Sequence, residues 1–126
     1  MSKQKFYVCS HCGNIAALVI DKGAPLSCCG EKMLALIPNT VDASQEKHVP
    51  VVTKTGNTIS VKVGSIPHPM EEKHYIMFIY VETKNGGQKK RLNAGEKPEA
   101  EFSFINDEPV AVYEYCNIHG LWKTEL

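Results

Sequence analysis

In Val49-Pro50-Val51-Val52-Thr53-Lys54-Thr55-Gly56-Asn57-Thr58-Ile59-Ser60-Val61-Lys62-Val63, an apolar run meets a turn at Thr55-Gly56-Asn57. Ile59, Val61 and Val63 then alternate with Ser60 and Lys62. Alternation with a period of two describes a strand with one buried face, and the turn residues between two such runs predict an antiparallel pair. The pattern continues downstream through His74 to Thr83, a turn at Asn85-Gly86-Gly87, Gln88 to Leu92, Glu99 to Ile105, Val110 to Cys116 and Leu121 to Glu125. Seven short strands over roughly ninety residues predict an all-β domain of the β-sandwich class. No segment sustains a helical period, although Met70-Glu71-Glu72-Lys73 could form one turn. Internal repeats and low-complexity tracts are absent.

Upstream the composition changes at Pro38-Asn39-Thr40, which sets the boundary between residues 1–37 and 38–126. The front segment carries Cys9-Ser10-His11-Cys12 and then Cys28-Cys29, each pair followed by glycine, among short strand and turn signals. So small a module cannot bury enough surface to fold unaided, and a four-thiolate metal site is its natural stabiliser. Four thiolates suit zinc or a single iron about equally. The adjacent pair favours iron slightly, because structural zinc knuckles space their cysteines by two to four, and neighbouring cysteines should open the angle between their sulfurs. A vicinal disulfide is the alternative for Cys28-Cys29. His11, inside the knuckle, reads as a solvated side chain.

Fourteen basic residues balance fourteen acidic ones, so net charge gives no argument for a nucleic-acid or membrane partner. The longest apolar runs, Ile15 to Ile20 and Tyr75 to Val81, fall far short of spanning length, and no secretory pattern follows Met1. A cytoplasmic location is expected. In that reducing compartment five cysteines suit metal or redox chemistry better than disulfides.

Glu114-Tyr115-Cys116-Asn117-Ile118-His119-Gly120 places a thiolate and an imidazole three positions apart across residues that tolerate turn dihedrals, which suits a chelate. A buried packing cysteine is the competing reading. The remaining histidines stand at strand edges or in loops: His48 in Glu46-Lys47-His48-Val49-Pro50, His68 between Pro67 and Pro69, and His74 after Glu71-Glu72-Lys73. His74 lies six positions after His68, so the two share an ion only if the segment wraps as a loop. The flanking prolines stiffen the backbone at His68, as presentation of a ligand requires.

Taken together, Cys9-x-x-Cys12 with Cys28-Cys29, Glu46-Lys47-His48-Val49-Pro50, His68-Pro69-Met70-Glu71-Glu72-Lys73-His74 and Cys116-Asn117-Ile118-His119-Gly120 resemble the desulfoferrodoxins, two-domain superoxide reductases, over the full chain. The resemblance implies a desulforedoxin-like module with iron in Cys9, Cys12, Cys28 and Cys29, followed by an immunoglobulin-like sandwich. It also implies a second iron in the plane of His48, His68, His74 and His119, with Cys116 axial and the sixth position open, and neither haem nor flavin. Superoxide would be reduced there to hydrogen peroxide. Lys47 would attract the anion and organise a proton-donating water, and Glu46 would occupy the open position after product leaves. A homodimer and a rubredoxin-type electron donor complete the implied picture.

Three other readings compete with it. A zinc ribbon joined to a partner-binding sandwich would hold one zinc and no iron. A ferrous oxygenase would use two histidines with Glu71 or Glu72 and leave Cys116 without a role. A dismutase would evolve oxygen.

Overall fold

The computed structural model describes residues 2–126, and the chain divides into two compact units, Lys3–Ile37 and Pro38–Leu126 with Ser2.

In the smaller unit β1 (Tyr7–Val8) pairs antiparallel with β2 (Ile15–Ala16) on one side and β5 (Leu34–Ala35) on the other. A separate hairpin joins β3 (Ser27–Cys28) to β4 (Glu31–Lys32). Only Phe6, Cys9 and Met33 are buried here. The apolar stretch that begins at Ile15 leaves the sheet after Ala16, and Val19 is 98% exposed.

In the larger unit the seven strands lie in two antiparallel sheets. One sheet has the order β10 (Glu99–Ser103), β7 (Thr58–Val63), β6 (Pro50–Thr55). The other has the order β12 (Gly120–Glu125), β11 (Pro109–Cys116), β8 (Ile76–Thr83), β9 (Gly86–Arg91). Inward side chains of both sheets meet in one apolar cluster: Ile59, Val61 and Val63 of β7, Ala100 and Phe102 of β10, Ile76, Ile79 and Val81 of β8, Val112 and Cys116 of β11. The alternation around Ile59 therefore marks the buried face of a central strand. Gly56 has φ 58°, the left-handed value wanted at the first position of a two-residue II′ hairpin loop, so Thr55 pairs with Thr58. β9 is exposed throughout, and its Lys89, Lys90 and Arg91 suit an edge strand. Pro50 opens the edge strand β6, where its missing N–H costs least. The Thr124 hydroxyl donates to the Pro50 carbonyl (2.7 Å), tying the β12 edge of one sheet to the β6 edge of the other.

Helical structure appears at a different place from the one expected. α1 (Gln45–His48) is a single turn before β6. Residues 71–74 instead close a tight turn, with reciprocal backbone bonds between Glu71 and His74 of 2.9 and 3.0 Å, so β8 begins only at Ile76.

Candidate metal centres

The four front sulfurs, those of Cys9, Cys12, Cys28 and Cys29, all lie within 4.8 Å of one another. Sulfurs at the corners of a tetrahedron about 2.3 Å from a central ion stand ~3.8 Å apart. The Cys12–Cys28 and Cys28–Cys29 separations are 3.6 and 3.9 Å, so the arrangement has the size of a four-thiolate metal site. The edge between adjacent residues is the wider of these two, and Cys29 adopts φ 53° to turn its sulfur inward. Backbone N–H groups of Cys12 and Asn14 point at the sulfurs of Cys9 and Cys12 (3.5 and 3.4 Å). Chiefly through the Cys12 amide, the Cys9 thiol falls to about 6, whereas the Cys29 thiol, hydrogen-bonded first to Cys12, is pushed up to about 12. One thiolate forms readily and the next resists, so a cation is needed to hold four. His11 does not stand free: its Nε2 lies 2.9 Å from Glu31 Oε1, an ion pair when the ring is protonated, linking the two knuckles.

The second cluster draws on separate parts of the larger unit. His48 ends α1, His68 and His74 lie in the loop between β7 and β8, Cys116 ends β11 at a register irregularity, and His119 sits in the β11–β12 turn. α1 has no side-chain cap and is held by tertiary contact. Gly64, at φ 82°, lies so close beneath it that a Cβ would stand 2.7 Å from the Glu46 carbonyl oxygen, and the Ile66 N–H donates to that oxygen (3.0 Å).

The imidazoles form a closed ring of neighbours. Centroid separations are 4.7 Å for His48–His68, 4.7 Å for His68–His74, 5.1 Å for His74–His119 and 4.9 Å for His119–His48, with every pair steeply inclined. His48 therefore faces His74 across the ring, and His68 faces His119. The Nε2 atom of His48 is 3.1 Å from His68 Nε2 and 3.1 Å from His119 Nδ1. Half the diagonal of a square with 3.1 Å sides is about 2.2 Å, close to the ~2.0–2.1 Å of an imidazole–metal bond. Cys116 Sγ lies within 4.8 Å of the ligand atoms of His48, His68 and His74 and 3.9 Å from His119 Nδ1.

Hydrogen bonding fixes which nitrogens face inward. His48 Nδ1–H donates to the Ser44 carbonyl (2.6 Å) and His68 Nδ1–H to the Pro69 carbonyl (2.7 Å). Because a carbonyl can only accept, each neutral ring carries its proton on Nδ1 and presents a bare Nε2. Burial lowers the pKa of both, His68 to about 4, so both are neutral at physiological pH. Two bare lone pairs facing at 3.1 Å repel unless a cation lies between them, and His74 Nε2 is also buried without a hydrogen-bond partner. Burial raises the Cys116 thiol, while the N–H of His119 (3.4 Å) opposes that shift, as does a backbone bond from Ile118. A ring of four imidazoles beside a buried thiol fits iron, as do the four front thiolates. Glu71 and Glu72 are exposed, and the donor set His48, His68, His74 and Cys116 contains no carboxylate, which removes the basis for a facial triad.

Glu46 and Lys47 are exposed on α1 beside His48, and among the described residues no ion pair joins them. Two supporting residues carried no signal in the sequence. Trp122 is buried, stacks on His48 (centroids 4.9 Å, 23°) and donates Nε1–H to the His119 carbonyl (3.1 Å). Glu114, two residues before Cys116, is fully buried with neither carboxylate oxygen hydrogen-bonded, and burial pushes its pKa well above the ordinary carboxylate value.

Comparison with known proteins agrees with this geometry. The desulfoferrodoxin family model matches residues 40–125. A desulfoferrodoxin of Syntrophotalea carbinolica is 49% identical over 123 residues, covering 98% of this chain and 97% of its own. A superoxide reductase of Thermococcus kodakarensis is 33% identical over 112 residues, covering 75% and 97%. The crystal structure of the superoxide reductase from Treponema pallidum superposes with a TM-score of 0.82 at 34% identity, covering 98% of this chain and 100% of that one. With matches that span both the cysteine module and the histidine ring, the chain belongs to the desulfoferrodoxin family.

Proposed function

We propose that this protein is a superoxide reductase, converting superoxide to hydrogen peroxide by one-electron reduction without evolving oxygen, as a defence against oxidative stress. In this reading His48, His68, His74, His119 and Cys116 would hold a ferrous iron at which the reaction takes place. The observation that carries it is the pair of bare His48 and His68 nitrogens facing at 3.1 Å beside a buried thiol. Bound there, ferrous iron supplies the single electron.

The chain's own residues supply binding and protons. Each superoxide takes up one electron and two protons to become hydrogen peroxide. Imidazole binds a metal as an uncharged ligand, so one thiolate against a divalent ion would leave a net positive centre to attract the anion. Lys47, exposed and adjacent to His48, adds a local positive charge in a chain with no net charge of its own. Its ammonium would also order a water as proton source, and Glu46, exposed beside it on α1, would be the carboxylate available to the iron after product release. The amides of Ile118 and His119 directed at Cys116 stabilise its thiolate and would temper its electron donation to a bound iron.

In this reading residues 1–37 form a desulforedoxin-like module whose iron sits in Cys9, Cys12, Cys28 and Cys29, and residues 38–126 form the reductase domain. A rubredoxin-type protein returns the electron. Exposed Val19, Ile20 and Leu34 on the small module support a homodimer that covers them. Five free thiols suit a cytoplasmic setting.

Anaerobic mixing of the reduced protein with superoxide tests the reaction itself. One hydrogen peroxide per superoxide with no oxygen is the expected yield. Oxygen at one per two superoxide would mean dismutation, and a single zinc with no reaction would mean a scaffold.

A further inference from the structure

We infer that Asn117 is a positioning residue for the histidine–cysteine centre, using its side-chain amide to lock the His74 segment onto the Cys116–His119 turn. The inference rests on the reading of that cluster as a metal centre.

The four imidazoles are not held in the same way. His48 and His68 are each oriented by an Nδ1–H bond to a backbone carbonyl, at 2.6 and 2.7 Å. His119 is anchored through its main chain, by its N–H to Cys116 Sγ (3.4 Å) and its carbonyl to Trp122 Nε1–H (3.1 Å). The inward Nε2 of His74 has no hydrogen-bond partner. Its placement comes instead from the peptide groups on either side of it. Asn117 Nδ2–H donates to the Lys73 carbonyl (3.0 Å), Asn117 Oδ1 accepts from the Tyr75 N–H (2.9 Å), and the Asn117 N–H donates to the Tyr75 carbonyl (3.2 Å).

One planar amide, with donor and acceptor used together, thus grips both flanks of His74 from a position between Cys116 and His119. Only one orientation of the amide satisfies both partners, since the flipped form would set its NH2 against an N–H and its oxygen against a carbonyl. The edge this clamp spans, His74 to His119, is the widest of the ring at 5.1 Å. The segment it holds is itself stiff, because Glu71 and His74 close their own turn. Asn117 therefore fixes one rigid piece to another across the least constrained side of the centre, and couples the axial sulfur to the equatorial plane. Aspartate lacks the donor, serine has a single group, and glutamine displaces the amide by a methylene.

The test uses the two-iron protein and its Asn117→Ala and Asn117→Asp variants, reduced and held anaerobically with the ferrous chelator ferrozine. Partners of this kind around a metal contribute about 10–100-fold in affinity. Ferrous iron from the second site is expected to move to chelator 10–100-fold more readily in Asn117→Ala, with a shifted thiolate charge-transfer band after oxidation. The front-site spectrum in the same molecule should not change. Asn117→Asp keeps the acceptor and the size, so it keeps the test open should alanine fail to fold, and its loss should lie between those of the parent and alanine. A general loosening of the turn would lower thermal stability in both variants without moving the band. Variants that retain parental affinity and band position overturn the clamp while leaving the metal reading intact. A parent that yields only front-site iron overturns both.

Discussion

In Lys3–Ile37 five strands of two residues each surround three buried side chains, whereas the larger unit has strands of five to eight residues around one continuous apolar cluster. The two regions stand in opposite relations to their metals. Tetrahedral metal binding contributes roughly 10–16 kcal/mol in small structural sites, more than three buried residues provide, so the front module is organised by its ion. The sandwich has an apolar core of its own, in which Cys116 is one member, and sets His48, His68, His74 and His119 around that residue on α1 and in loops and turns. A structural centre can be closed on all sides. A reactive one needs a scaffold that stands without it.

The contrast breaks first at Cys28. Cys28→Ser should abolish front-site iron, lowering the iron content from two to one per chain, and leave residues 3–37 without amide-exchange protection while β6 to β12 stay protected. Loss of both irons, or of protection in the sandwich, would show that the units are interdependent. Cys116→Ser should leave the sandwich folded, at a cost of about 1–3 kcal/mol for a poorly paired buried hydroxyl. Its iron, held by imidazoles alone, should lose the oxidised thiolate band and at least ~100-fold in reaction rate, beyond the range for outer partners of a metal. Retention of both would remove Cys116 from the centre.

Glu114, fully buried in β11 two residues before Cys116, sharpens the comparison through the pH dependence of the scaffold. Its folded-state pKa is raised above the unfolded value near 4.5, so the folded protein holds a proton that the unfolded chain releases as pH rises. Stability should therefore fall with pH above that value, by up to about 1.4 kcal/mol per pH unit. Glu114→Gln should remove this slope in denaturant titrations from pH 5 to 7. Equal slopes in parent and variant would mean that Glu114 is ionised when folded.

The smallest effect is expected at Lys47. One charge a few ångströms from an approaching anion is worth ~1 kcal/mol in water and up to ~4 in a partly shielded pocket. Lys47→Ala should slow the reaction with superoxide about tenfold and flatten its salt dependence, with both iron spectra unchanged. Pulse radiolysis at several ionic strengths measures this, and an unaltered rate and slope would leave Lys47 as a solvated neighbour of His48.

Much of this was legible in the sequence, for reasons particular residues make plain. The Ile59–Val61–Val63 alternation survives as the buried face of β7, and the cysteines and histidines that the fold brings together were recognisable because ligand types are chemically distinctive. What escaped depends on contacts distant in sequence. α1 has no capping bond and exists because Gly64 lets the chain pack under Glu46 and Lys47. Asn117 reads as a turn residue until its amide is seen on Lys73 and Tyr75, more than forty positions away. Nothing in the sequence marks Trp122, whose ring lies on His48. Nothing in the sequence marks Glu114 as buried, yet both its carboxylate oxygens are.

The most direct test of the central claim is pulse radiolysis of the protein with its front iron left oxidised and its second iron ferrous, followed across the visible spectrum. We expect a thiolate charge-transfer band to grow in, one equivalent per superoxide, with hydrogen peroxide released and the front-site absorbance constant. A change in the front-site absorbance first, or superoxide decay with no new band, would contradict the assignment of the reaction to His48, His68, His74, His119 and Cys116.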